Sequence, residues 1–183
     1  MRTVLFIGPI PPPFNGQSVA FCYLKQLELD NIEKKFHNTQ KDIPLLFNYL
    51  DSWLILPFKI LFSNYNLIYF TCARTKLGFL RQLPFFLSAI IKKIPMINHL
   101  HGADFKNFYQ QSSVIQPLVR FCFNRIQLSI VLMESMKNEF IDFPNMRIDV
   151  VPNAFDFSFN NIRVKLPKPK NILFFSNLMA SKG

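Results

Sequence analysis

Five short apolar runs, separated by stretches with helical spacing, constrain this chain more than any other feature. Thr3–Ile7, Leu67–Thr71, Met96–His101, Leu128–Met133 and Ile148–Val151 are each too brief for a helix and are dominated by Val, Ile, Leu and Phe. Runs of this kind read as strands buried on both faces of a parallel sheet. Between them, Ala20, Tyr23, Leu24 and Leu27 fall at i, i+3, i+4 and i+7, and Phe79, Leu83, Phe86, Leu87 and Ile90 share one helical face. Lys34–Thr39 reads as a second, more polar strand. Helical stretches are expected from Pro44 to about Phe62 and over Val114–Asn124. Pro84 either starts its helix or kinks it, and Ser135 is placed to cap a short helix. Strands alternating with helices imply right-handed crossovers, and so an α/β fold with a Rossmann-like, doubly wound parallel sheet.

A length of 183 residues suits one such domain and a short extension. With 50% hydrophobic and 17% charged residues, the chain is no disordered solvating segment. Its net charge of +10 attracts nucleic acid, anionic lipid and phosphorylated ligands alike. The basic residues are scattered and sit in no nucleic-acid-binding motif, so nucleic acid is not expected as a partner. Cys22, Cys72 and Cys122 lie far apart and fit reduced thiols better than a disulfide scaffold. No apolar run reaches spanning length. Ile43–Phe62 comes closest, but it contains Asp51, Pro57 and Lys59, which fits a buried or membrane-surface helix.

The strand and helix pattern dissolves over Phe155–Pro169, and Asn171–Ser176 begins a new buried-type strand. The expected organisation is an N-terminal domain over 1–156, an interdomain linker over 157–169, and the start of a truncated second domain over 170–183.

Four motifs carry possible chemistry. PPPFNGQS, Pro11–Ser18, follows the first strand, where a helix N-terminus and Gly16 could admit phosphate; it reads equally as a proline-stiffened loop. In HLHGAD, His99 and His101 point to one face of a strand, with His101 nearer its carboxyl end. An imidazole there can bind a sugar hydroxyl or stabilise transition-state charge; a polar strand end and an HxH metal pair are the alternatives. VVPNAFD, Val150–Asp156, is turn chemistry by itself. In FFSNLMASKG, Lys182 could face a diphosphate or simply be solvated.

Taken in order, these pieces resemble the retaining GT-B glycosyltransferase family that includes many bacterial capsule and lipopolysaccharide sugar transferases. PPPFNG, HLHG, VLMES, VVPNAFD and ILFFSNLMASKG carry the resemblance along essentially the whole chain. It implies that Gly16, with Asn15 and Gln17, approaches the donor diphosphate and acceptor, and that His101 contacts the transferred sugar. Asp104 and Asn153 join the binding set, and Lys182 helps neutralise the leaving diphosphate. Asn177 stands near where an arginine is common, and Ala154 replaces the usual glycine. The family's paired-glutamate motif is missing, which implies little transferase activity for the chain alone.

The expected activity is transfer of a sugar from a nucleotide-sugar to a lipid-linked or saccharide acceptor in cell-surface polysaccharide synthesis, with no cofactor and no obligatory metal. The expected location is the cytoplasm, peripheral to an anionic membrane surface on its inner face. A noncatalytic remnant or interaction module, and a nucleotide-sugar epimerase, are the alternatives.

Overall fold

The computed structural model describes residues 1–12 and 14–152. The expected linker, the second domain, Asn153 and Lys182 lie outside the described residues. The described chain is an α/β fold around one six-stranded, all-parallel sheet: β1 (Arg2–Gly8), β2 (Ile32–Asn38), β3 (Leu67–Thr71), β4 (Met96–Leu100), β5 (Leu128–Val131) and β6 (Arg147–Val150). The helices are α1 (Gly16–Gln26), α2 (Leu45–Leu50), α3 (Leu56–Phe62), α4 (Lys76–Ile91), α5 (Phe105–Gln111) and α6 (Gln116–Phe123). A π turn, Asp51–Ile55, joins α2 to α3 without a break, and a 3-10 segment, Glu134–Phe140, precedes β6.

The strand order is β2-β1-β3-β4-β5-β6. The chain steps one way from β1 to β2 and the other way from β2 onward. Right-handed crossovers therefore put α1 on one face and the later helices on the other. The core divides accordingly. Leu5, Ile7, Ile68, Phe70 and Leu100 pack with α3, α4, α5 and α6, while Val4, Phe6, Tyr69 and Phe21 of α1 form a smaller cluster opposite. Many of the chain's phenylalanines pack against one another in the larger cluster, with Phe86 against Phe70, Phe85 and Phe123, and Phe105 against Phe123 and Phe140.

Several local expectations need correction. β2 starts two residues earlier than its polar run indicates, because its outer face is only half covered. α1 turns Phe21 inward and leaves Tyr23 and Leu27 about half exposed. Gly8 decides that orientation: a Cβ there would come within 3 Å of the Phe21 ring. Pro84 does not start α4, which begins eight residues earlier under a Thr75 cap accepting from the Gly78 N–H; Pro84 lies in its interior. Leu87 is exposed, and Phe85 is buried in its place. Ser135 caps nothing, being an exposed residue inside the 3-10 segment behind Met133. The π turn ends two residues before Pro57, whose ring would press on the carbonyl four residues back in a regular α-helix.

Candidate functional site

Successive crossovers leave β1 in opposite directions, so the sheet has its switch point between β1 and β3, and ligands of open α/β sheets bind at the carboxyl ends there. A crevice of about 370 Å³ occupies this place. Pro9 and Gln17 form its β1 side, Thr39 closes β2, and Arg74, Thr75 and Arg81 form the wall from β3 and α4. No carboxylate lines it among the described residues, so its charge is cationic.

The turn between β3 and α4 is held by Gln82, a buried side chain that accepts from the Ala73 N–H (2.9 Å) and donates to the Thr71 carbonyl (2.8 Å). These two hydrogen bonds hold the backbone that leads into Arg74. Its guanidinium crosses the turn after β4 and pairs with Asp104. A Cβ on Gly102 would collide with Arg74 Nη1, so the glycine clears the path. Arg81 makes no ion pair among the described residues.

His101 follows β4 on the same edge. Its ring lies 4.0 Å from that of His99, whose Nδ1 is hydrogen-bonded to the Tyr69 hydroxyl. Burial lowers the His99 pKa to about 3, with the neighbouring His101 adding to it. Burial and the Arg74 charge lower that of His101 to about 4. Both rings are neutral at physiological pH. His99 Nε2 is buried with no hydrogen-bond partner among the described residues.

Cys72 also lines the crevice, but burial pushes its thiol up to about 12, so it is a protonated thiol and no nucleophile. Cys22, Cys72 and Cys122 are all free. Among the described residues, no group of three His, Cys, Asp or Glu is placed to hold a metal, and no helix is long and apolar enough to cross a membrane.

The residues singled out from sequence divide into three sets. Gln17 lines the crevice with Arg74, while Asp104 pairs with Arg74 and His101 feels its charge without either belonging to the crevice lining. Asn15 is engaged structurally: its side chain accepts from the Ser18 N–H (2.9 Å), and Ser18 Oγ accepts from the Asn15 N–H (3.0 Å), a reciprocal cap for α1. Gly16 is exposed with nothing within 4 Å of a hypothetical Cβ, so no protein contact demands a glycine there. Sequence reasoning passed over Arg74, Arg81 and Gln82. The signal for the first was a basic residue three positions beyond a strand end, in TCART.

Compared with known families and with curated proteins, the chain matches no family model and no curated sequence.

Proposed function

We propose that this chain forms the acceptor-side half of a sugar-transfer cleft of the retaining GT-B kind, serving a nucleotide-sugar and a lipid-linked or saccharide acceptor of cell-surface polysaccharide. The observation that carries the proposal is the crevice at the switch point, whose described lining holds Arg74, paired with Asp104 outside that lining, and the unpaired Arg81 but no carboxylate, with a neutral imidazole, His101, beside Arg74. In such a transfer the bond from the anomeric carbon to the diphosphate oxygen breaks, and a bond from that carbon to an acceptor hydroxyl forms. The diphosphate leaves with the electron pair, and the hydroxyl's proton passes to the departing diphosphate oxygen. Cations placed where the negative charge collects, and a hydrogen-bond donor on the sugar, lower that barrier. Arg74 and Arg81 fit the first task and the neutral His101 ring the second. Among the described residues the lining has no carboxylate, which gives no support to an epimerase.

The test is titration of the chain with a panel of nucleoside diphosphate sugars, followed through its backbone amide NMR shifts. The largest shifts are expected at Gln17, Arg74 and Thr75, with affinity at least tenfold weaker in Arg81→Ala. Shifts absent from this edge for every donor reject the proposal. Where transfer is measurable, His101→Ala should lower it by about 100-fold with the fold intact.

A further inference from the structure

We propose that the unbroken helical stretch from α2 through the π turn to α3, residues 45–62, is a membrane-docking surface that lies flat on an anionic lipid bilayer. Its outward side is apolar along its whole length: Phe47, Leu50, Trp53, Leu54, Phe58 and Phe62 are between 43% and 73% exposed. Scattered exposed apolar residues are ordinary on a protein surface, but a contiguous row of large ones marks an interaction site.

The row is kept straight by the π turn. Leu46, Leu50, Leu54, Phe58 and Phe62 recur every four residues, a spacing that drifts round an α-helix by about 40° per step. A widened turn at Asp51–Ile55 reverses part of that drift, so the five side chains stay on one side of the helix.

Charge is distributed to match. The only carboxylate of the stretch, Asp51, points inward, buried and paired with Lys41 Nζ at 2.7 Å, with His37 Nε2 at 3.0 Å. The pairing removes negative charge from the outward side and pins the stretch to the end of β2. Lys59 is exposed in the row, and Lys92 and Lys93 are exposed at the end of α4, which packs beside α3.

An apolar row within a chain of net charge +10 calls for a partner that is apolar inside and negative at its surface. A second copy of the chain would supply the apolar surface but bring the same positive charge. A Trp at half exposure suits the headgroup boundary. Asn48 of α2 lines the crevice, as Arg81 does, so docking along this row would bring the crevice mouth close to the lipid plane.

Trp53 is the only tryptophan in the chain, so its fluorescence reads this surface directly. The full chain is titrated with phosphatidylglycerol vesicles and with phosphatidylcholine vesicles. A blue shift with the anionic vesicles, quenching by brominated acyl chains, and at least tenfold weaker binding in Leu54→Glu/Phe58→Glu are expected, with circular dichroism unchanged. Binding to the anionic vesicles should weaken as salt is raised. An unshifted Trp53 with anionic vesicles overturns the proposal, even if the protein floats with them through another surface. A blue shift that grows with protein concentration without lipid, together with sedimentation as a dimer, also overturns it in favour of a second copy. None of these readouts depends on sugar transfer, so the surface and the crevice stand or fall separately.

Discussion

Arg74 reaches over Gly102 to pair with Asp104, tying the turn after β3 to the turn after β4 directly beside His101. The glycine is required by the space the guanidinium takes. Gly102→Ala should push that flexible side chain aside and leave the backbone in place. Loss of a partly exposed ion pair costs at most about 1 kcal/mol, so the melting temperature should hardly move. Binding of a nucleoside diphosphate should fall as far as it does in Arg74→Ala, which isothermal titration of both variants checks.

Gln82 satisfies two backbone groups of the same turn from inside the core. Gln82→Ala leaves the Ala73 N–H and the Thr71 carbonyl without that partner, at about 1–3 kcal/mol for each group that stays unsatisfied. Urea unfolding should show a loss of at least about 2 kcal/mol. Gln82→Glu keeps the acceptor and loses the donor, and should fall between the two.

Two glycines near β1 should respond in opposite ways. At Gly8 a methyl meets the buried Phe21 ring, so Gly8→Ala should cost about 1–3 kcal/mol as α1 is forced away from the sheet. At Gly16 a methyl meets open space in the first turn of α1, and Gly16→Ala should stabilise by up to about 1 kcal/mol. A Gly16→Ala protein that is more stable yet binds nucleotide-sugar more weakly would assign that space to the ligand. Paired melts and titrations check both.

All three histidines, His37, His99 and His101, hold their protons less tightly in the folded chain than an ordinary imidazole, chiefly through burial. Below about pH 6.5 the unfolded chain binds more protons than the folded one, so stability falls as pH falls toward 4. Above about 6.5 both states are neutral at these sites and the dependence disappears. Each tenfold difference in proton affinity is worth about 1.4 kcal/mol once fully expressed. Urea midpoints at pH 7.5, 5.5 and 4.5 should decline in that order, and the ring proton shifts of His99 and His101 should stay flat down to about pH 5.

The parallel sheet was legible because its inner strands are buried on both sides, and that condition writes continuous apolar runs such as VLFI of β1 and LIYFT of β3. Where one side opens, as in IEKKFHN of β2, the run breaks and the strand start blurs. α5 escaped notice although Phe105, Phe108 and Tyr109 stand at helical spacing, because seven residues without a side-chain cap give too short a pattern. The site was half legible. His101 and Asp104 stand out by chemistry, whereas Arg74 gains its meaning only when strand order places β3 beside β1. No local pattern in a sequence carries that order.

The crevice therefore has walls of unequal stiffness. α4 is anchored through Phe79, Phe85, Phe86 and Ala89, all fully buried, whereas α1, the one helix on its face among the described residues, has Ser18 and Phe21 as its buried residues. Local opening follows the number of buried contacts. Guests of different girth would be accommodated by yielding on the Gln17 side, against a cationic side that keeps its shape.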